Sequence, residues 1–133
     1  MAYLKPNAFV KNVFNPIAKK FRLSGTNELI VKRRKSGQDQ SIPVIPVEHA
    51  GARYIVSTRG ESEWVRNMRA AGGCDLRTKS GREHLTATEI PVAERAPIIA
   101  SYRETAGKTV DTYWKQLPDD ADHPVFRLDP ASP

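Results

Sequence analysis

Apolar positions near the N-terminus of the chain repeat with a helical period. They recur at spacings of three and four residues, which places them along one face of an α-helix. The repeating positions are Phe9, Val10, Val13, Phe14, Ile17 and Phe21. The pattern predicts an amphipathic helix over residues 7–22, within an N-terminal segment 1–22, and Pro16 predicts a kink or break in it. Packing on a sheet is the ordinary role of such a helix, and peripheral contact with a membrane through residues 7–22 is the alternative.

Beyond residue 28 the apolar positions alternate in short runs, which is typical of β-strands. The predicted strands cover residues 28–33, 42–48, 54–58, 74–79, 83–89 and 123–128. Helices are predicted at residues 62–71, 91–102 and 109–116. Ser62 is the expected N-cap of the first of these helices, and Gly72-Gly73 marks its end.

This order of elements predicts an α+β fold. Six short strands, with helices inserted between them, favour a small barrel of mainly antiparallel strands with the helices packed on it. Pro43 and Pro46 place the second strand at a sheet edge or a bulge, since proline has no N–H to donate to a neighbouring strand. The 133 residues suffice for one domain, so we expect a single domain 1–133 with its barrel over residues 28–129.

Positive charge is concentrated in the first part of the chain. Residues 1–37 hold nine Lys and Arg side chains against one acidic side chain, Glu28, for a net charge of +8. The remaining residues hold twelve cations and fourteen anions, for a net charge of −2. Such a field favours phosphates, carboxylates, nucleic acid or anionic lipid as partners. A nucleic-acid-binding module is one alternative, but no aromatic platform is interleaved with the cations, so we expect no nucleic acid partner.

Familiar catalytic and metal-binding signatures are missing from the sequence. It has no GxSxG, HExxH, Walker, GxGxxG or CxxC motif. His49, His84 and His123 are far apart along the chain, so we expect surface or edge positions for all three and no metal site. Cys74 is the only cysteine, which excludes an internal disulfide and predicts a packed thiol.

Neither a membrane span nor a secretion signal is evident in the sequence. No apolar run approaches the roughly 18 to 20 residues that cross a bilayer. The first residues contain no apolar block followed by a small-residue cleavage site. We therefore expect a cytoplasmic protein, with peripheral attachment to the inner face of the cell membrane left open.

Between the first two predicted strands lies an unusually basic segment, RRKSGQDQS, at residues 33–41. Arg34 and Lys35 can meet a phosphate, and the Ser36 hydroxyl can donate a hydrogen bond to it. Gly37 allows backbone N–H groups to approach an anion closely. The segment therefore predicts a phosphate-binding loop.

A second polar segment, STRGESEWVRN at residues 57–67, passes from a strand end into a helix. Its first three residues lie where backbone donors become available. Trp64 offers a flat face for a ring, and Asn67 lies three residues later on the same side of the helix. Together with the basic segment, this pattern indicates a large, planar, anionic cofactor. Ordinary core packing of Trp64 and Asn67 is the alternative.

The order of elements, with RRKSG at residues 33–37 and WVRN at residues 64–67, resembles the deazaflavin (F420)-dependent nitroreductase and quinone reductase family. The resemblance covers residues 14–128 and implies a split β-barrel of the flavin-reductase-like superfamily. It also implies coenzyme F420 as cofactor and hydride transfer from its reduced form to a quinone, a nitro compound or another activated acceptor. The expected partner is thus a small-molecule electron acceptor, and the chain is a monomer or a homodimer. Related barrels bind FMN or a tetrapyrrole, which is the alternative.

By position, the resemblance implies a set of cofactor-binding residues. They are Arg34, Lys35, Ser36, Gly37, Gln40, Ser41, Pro43, Val44, Ile45, Ser57, Thr58, Arg59, Trp64 and Asn67. Residues 34–36 would hold the phosphate region, 43–45 would line the deazaflavin face, and 57–59 would approach the polar edge of the ring, which Trp64 and Asn67 would flank. Residues 40–43 depart from the Arg-Thr or Arg-x-x-Pro run frequent in the family, so the acceptor of its nitro-reducing members is not carried over. No catalytic residue is assigned, and late tyrosines such as Tyr102 and Tyr113 are candidates only.

Overall fold

The computed structural model describes residues 27–131, and the helix predicted over residues 7–22 lies outside them. Seven strands form one sheet: β1 (Asn27–Lys32), β2 (Asp39–Val44), β3 (Val47–His49), β4 (Ala52–Val56), β5 (Gly73–Thr78), β6 (Gly81–Glu89) and β7 (Val125–Pro130). The α-helices are α1 (Glu63–Ala71), α2 (Arg95–Ala106) and α3 (Asp111–Gln116). Short 3₁₀ turns cover Val92–Glu94, Gly107–Val110 and Asp120–Asp122. We call residues 33–38, which connect β1 to β2, the basic turn.

The sheet curls into a barrel because its two edge strands are consecutive in the chain. The strand order is β2-β1-β5-β6-β7-β4-β3, and each neighbouring pair is antiparallel. Only Ile45 and Pro46 separate β2 from β3, although the two strands lie at opposite ends of this order. Two intervening residues bridge at most roughly 10 Å, so the two edges of the sheet must approach each other.

The prediction of one continuous strand over residues 42–48 is wrong. The chain leaves one sheet edge after Val44 and joins the other edge at Val47, so the barrel has seven strands rather than six. Pro46 fits this break because it cannot donate to a strand ladder. Pro43 lies in the edge strand β2, as predicted. The helix predicted over residues 91–102 also differs, since a 3₁₀ turn precedes it and α2 continues to Ala106.

Two apolar clusters lie on opposite faces of the curled sheet. The barrel cluster consists of Leu29, Val31, Val44, Ile55, Val65, Met68, Cys74, Leu76, Leu85, Phe126 and Leu128. The helix cluster consists of Val47, Tyr54, Val56, Ile98, Ile99, Tyr102, Ala106, Val110, Tyr113, Trp114 and Val125. Adjacent strand residues point to opposite faces, so Ile55 belongs to the first cluster and Val56 to the second. Full burial of a side chain such as Leu29 contributes about 1.5–3 kcal/mol.

Helix α1 closes the barrel cluster with its buried face. Val65 and Met68 are 0% and 1% exposed and pack among the strand residues. Ser62 holds the extended N-cap conformation without a side-chain cap bond. Gly72 ends the helix as predicted: its φ is 71°, and its N–H donates to the Met68 carbonyl over 2.8 Å. None of the helices within residues 27–131 has the length and apolarity to cross a membrane.

Candidate cofactor site

A narrow groove opens where the two apolar clusters meet. It is lined by Pro43, Val44, Ile45, Ile55, Val56, Thr58, Trp64 and Tyr102. Its volume is about 60 Å³, well below the roughly 300–1,000 Å³ of a closed ligand pocket. A planar ring bound against these residues would therefore remain partly exposed to solvent.

Aromatic side chains supply the walls of the groove. Trp64 is half-buried, and its ring packs 5.8 Å from that of Phe126 at a 53° angle. Tyr102 is buried and lies 6.1 Å from the ring of Trp114. Burial raises the pKa of Tyr102, so its phenol is protonated at neutral pH and keeps a hydrogen to donate.

The basic turn is closed by its own backbone. The Arg33 N–H donates to the Gln38 carbonyl over 2.8 Å, and the Gly37 N–H donates to the Arg33 carbonyl over 2.9 Å. Gly37 has a φ of 74°, a conformation that favours glycine. The Gly37 N–H thus closes the turn itself. The Ser36 Oγ accepts from the Gln38 N–H over 3.2 Å, which leaves the hydroxyl proton of Ser36 to be donated.

The three cations of the basic turn have different surroundings. The Arg34 Nη1 donates to the Glu63 carboxylate over 2.8 Å and forms an ion pair with it. Arg33 and Lys35 are exposed, and within residues 27–131 neither forms an ion pair. Among the described residues, the charge of the turn that no ion pair compensates therefore comes from Arg33 and Lys35.

Asn67 connects the basic turn to α1. It is 1% exposed, and its Oδ1 accepts from the Arg34 backbone N–H over 3.1 Å and from the Arg34 Nη1 over 2.8 Å. Its Nδ2 donates to the Gln40 Oε1 over 2.8 Å. The amide thus joins a helix to both arms of the turn.

The residues after β4 form a tight corner beside the groove. Ser57 is buried, and its hydroxyl donates to the Gly60 carbonyl over 2.6 Å. Burial raises the pKa of Tyr113, and the Arg59 guanidinium, which hydrogen-bonds its hydroxyl, opposes that rise. Of residues 57–59, Thr58 therefore lines the groove, while Ser57 holds the corner and Arg59 contacts Tyr113.

His123 is buried, so the expectation of a surface or edge position for it is wrong. It is 0% exposed, with Nδ1 lying 2.9 Å from the Ser57 carbonyl oxygen and Nε2 lying 2.7 Å from that of Leu117. Its ring stacks on Trp114 at 4.1 Å. Satisfied polar atoms and ring stacking allow an imidazole to enter a core. No motif in the sequence marks His123 for this position.

A larger cleft of about 300 Å³ lies away from the groove, along β1, β5 and β6. Its charges compensate one another: Arg82 pairs with Asp75 at 2.6 Å, and Lys32 pairs with Asp39 at 2.9 Å. Cys74 also borders it, and burial raises the pKa of that thiol to about 12, as expected of a packed cysteine. Among residues 27–131 no group of three or more His, Cys, Asp or Glu side chains could hold a metal ion.

The structure divides the predicted cofactor residues into separate groups. Residues 43–45 meet Thr58 and Trp64 at the groove. Lys35, Ser36 and Gly37 lie on the exposed basic turn, and Asn67 binds both Arg34 of that turn and Gln40 of β2. Ser41 stands apart, with its exposed hydroxyl donating to Glu28. Ile55 and Val56, which also line the groove, were read in the sequence only as part of a strand.

The curled antiparallel barrel of seven strands, with helices packed on it, is a split barrel of the flavin-reductase-like class. The family model described as F420H(2)-dependent quinone reductase matches residues 8–124, and the chain belongs to that family. It is therefore an oxidoreductase that depends on reduced coenzyme F420, as the sequence resemblance predicted. No match was found among curated proteins.

Solved structures share the fold at low sequence identity. An F420H2-dependent reductase, FDR-A, is 21% identical, with 79% of this chain and 94% of that chain covered and a TM-score of 0.60. The haem storage protein HutZ of Vibrio cholerae is 17% identical, with 89% and 90% covered and a TM-score of 0.62. An FAD-binding protein of Mesorhizobium loti is 16% identical, with 86% and 85% covered and a TM-score of 0.52. The predicted α+β split barrel is confirmed.

Proposed function

We propose that the protein transfers hydride from reduced F420 to a quinone or a related activated acceptor, such as a nitro compound. One observation carries the proposal: α1 lines the groove with Trp64 and, one turn later, binds the basic turn through Asn67. Three residues of helix advance about 5 Å, so a ring site and an anion site lie side by side. A ligand with a planar ring and a phosphate on a short flexible chain suits this pairing.

The anion end of the site would be held by Lys35 and Ser36. Lys35 is exposed and forms no ion pair within residues 27–131, so binding a phosphate would not require breaking one. Ser36 accepts a bond from Gln38 and still has its own proton to donate. Charge-assisted hydrogen bonds of this kind are the strong ones in anion recognition.

The ring would be held by Trp64 and by residues 43–45 at the end of β2. These side chains offer an apolar and aromatic surface, which a planar heterocycle can cover. When bound, reduced F420 supplies the hydride, so the chain needs no nucleophile or catalytic triad of its own. The work left to the protein is to hold the ring and the acceptor in reacting geometry.

The acceptor gains negative charge on oxygen as hydride arrives. Thr58 and Tyr102 are the hydroxyl-bearing residues of the groove, and Tyr102 is protonated because burial raises its pKa. Either hydroxyl can donate a hydrogen bond to that oxygen. Arg59 follows Thr58 in the sequence, and its guanidinium contacts the hydroxyl of Tyr113.

FMN is the second candidate cofactor, since it also combines a planar ring with a ribityl phosphate. The same groove and turn would accept it, and the fold is shared with an FAD-binding protein. Parallel fluorescence titrations with F420 and FMN decide between the two. We expect F420 to bind at micromolar concentrations. A dissociation constant for F420 above about 1 mM, which corresponds to a binding free energy of about 4 kcal/mol, would contradict the proposal.

The acceptor is tested by supplying reduced F420 with a panel of quinones and nitro compounds and following its oxidation. A Thr58→Val variant keeps the shape of the groove and removes one hydroxyl. We expect it to lower kcat with the preferred acceptor while leaving F420 affinity unchanged. Oxidation of reduced F420 by none of these acceptors would contradict the assignment of quinone-type reduction.

A further inference from the structure

We propose that Asn67 is a positioning residue that sets the geometry of the basic turn without contacting the ligand, so that anion binding by Lys35 and Ser36 depends on a buried amide. This inference rests on the proposed function. It differs from the expectation that Asn67 flanks the ring. Its basis is the hydrogen-bond network around Asn67, which contains groups from α1, from the basic turn and from β2.

The Asn67 Oδ1 holds Arg34 at two points. It accepts from the Arg34 backbone N–H over 3.1 Å and from the Arg34 Nη1 over 2.8 Å. The first bond fixes the main chain immediately before Lys35, and the second fixes the direction of the Arg34 side chain. Lys35 then projects from a backbone that cannot rotate freely at its preceding residue.

The Asn67 Nδ2 holds the returning arm of the hairpin. It donates to the Gln40 Oε1 over 2.8 Å, and Gln40 pairs with Val31 across the strands. One amide therefore binds residues on both sides of the basic turn. Both of its polar atoms are engaged within the chain, which leaves little capacity for a ligand.

The position of Asn67 is in turn fixed by the core. The flanking helix residues Val65 and Met68 are packed in the barrel cluster, and Asn67 itself is 1% exposed. A buried amide with satisfied partners is rigid, and removing it leaves the backbone donor of Arg34 without a partner. The conformation of the basic turn is thereby fixed by a helix that is packed in the barrel cluster.

Glu63 gives Arg34 a different role from that of Lys35 in the basic turn. It lies one helical turn before Asn67 and pairs with Arg34 at 2.8 Å. Arg34 is therefore directed toward α1 and partly neutralised, while Lys35 is exposed without an ion pair among the described residues. The three consecutive cations are not equivalent: Arg34 holds the turn, and Lys35 is the contact for an anion.

The experiment compares Asn67→Leu with Asn67→Asp, because leucine removes both polar atoms and aspartate keeps the acceptor oxygen. Arg66→Ala, on the exposed face of the same helix, is the matched control. Amide hydrogen exchange of the Arg34 N–H is the readout that needs no cofactor. We expect its protection to fall at least about tenfold in Asn67→Leu, and to be retained in Asn67→Asp and in the control. Unchanged protection in Asn67→Leu would overturn the proposal.

A double-mutant cycle on F420 affinity separates positioning from general loosening of the fold. We expect Asn67→Leu to weaken F420 binding by about tenfold and Lys35→Ala by at least about tenfold, and the double variant to be within about twofold of Lys35→Ala alone. Weakening that multiplies to about a hundredfold would show that Asn67 acts independently of Lys35 and would overturn the inference. If the unmodified protein binds no F420, the proposed function fails, while the Arg34 exchange measurement still decides whether Asn67 holds the turn.

Discussion

Asn67 and His123 are both buried polar side chains that contact backbone groups of connecting segments, yet those segments differ in exposure and charge. Asn67, 1% exposed, holds the Arg34 N–H of an exposed and cationic turn. His123, 0% exposed, lies between the Ser57 and Leu117 carbonyl oxygens inside the protein. Asn67 therefore supports a turn whose exposed Lys35 forms no ion pair within residues 27–131, whereas His123 supports packing in the interior, where it stacks on Trp114.

This difference separates an expected effect on binding, at Asn67, from an expected effect on stability, at His123. Loss of the Asn67 network frees a surface turn, which a folded protein tolerates. Loss of His123 leaves carbonyl groups unsatisfied in an apolar region, which destabilises the whole fold. We therefore expect variants near His123 to act mainly on unfolding and variants near the basic turn to act mainly on cofactor affinity.

The largest effect is expected for His123→Phe. Phenylalanine keeps a ring against Trp114 but removes both nitrogen contacts with carbonyl oxygens. We expect the free energy of unfolding to fall by about 2–4 kcal/mol, measured by urea denaturation. His84→Ala, at an exposed position, serves as the control and should change stability little. A His123→Phe protein as stable as the unmodified one would contradict the assignment of a stability role to His123.

The next effect is expected for Lys35→Ala, on binding rather than stability. Loss of a charge-assisted hydrogen bond should weaken F420 binding by about 1.5–3 kcal/mol, measured by fluorescence titration. Lys79→Ala removes the same charge from an exposed turn between β5 and β6 and is the matched control. Equal affinities for the two variants would show that Lys35 contributes only to the general positive field, and unchanged affinity would remove the phosphate assignment.

A smaller effect on affinity is expected for Trp64→Ala. The half-buried indole lines the groove and packs on Phe126, so its loss removes both a ring surface and a core contact. We expect F420 binding to weaken by about 1–2 kcal/mol, with a fall in stability of similar size. Trp64→Phe should recover most of both quantities. Full F420 affinity in Trp64→Ala would place the ring elsewhere.

The sequence predicted the barrel better than the contacts between distant residues. Alternating apolar runs and turn residues depend on neighbours in the chain, so β5, β6 and α1 lie close to their predicted bounds. The break between β2 and β3 was missed because IPVIPV continues the strand pattern through Pro46. Local pattern cannot tell that a chain changes from one sheet edge to the other.

Contacts between residues that are far apart in the sequence could not be predicted from local sequence pattern. Arg34 and Asn67 belong to the two motifs that indicated the cofactor, but their hydrogen bond joins residues 33 positions apart. Only the packing of α1 against the barrel brings them together. His123 lies between Asp122 and Pro124, neither of which indicates burial, and its burial depends on Trp114 and on the Ser57 and Leu117 carbonyl groups.

The smallest effect is expected on the face of α1 opposite Asn67, where Arg69 joins Glu61 and Glu89. Arg69 donates to Glu61 over 2.5 and 2.9 Å and to Glu89 over 2.7 Å. The hydrogen bond from Arg69 holds the pKa of Glu61 below its ordinary value of 4.5, although burial opposes this. A carboxyl group whose pKa is lower in the folded state stabilises the fold when the pH is above the pKa of the unfolded state. This contribution is lost as the pH falls through the pKa of the folded state.

Glu61→Gln tests this contribution and the independence of the two faces of α1. At neutral pH we expect a loss of about 0.5–1 kcal/mol in unfolding free energy relative to the unmodified protein. That difference should shrink as the pH is lowered through 4.5 and below, because the native carboxylate then becomes protonated. F420 affinity should stay unchanged, since residues 67 and 69 project about 200° apart on the helix. Weaker F420 binding in Glu61→Gln would mean that the basic turn depends on the seating of the whole helix and not on the Asn67 amide alone.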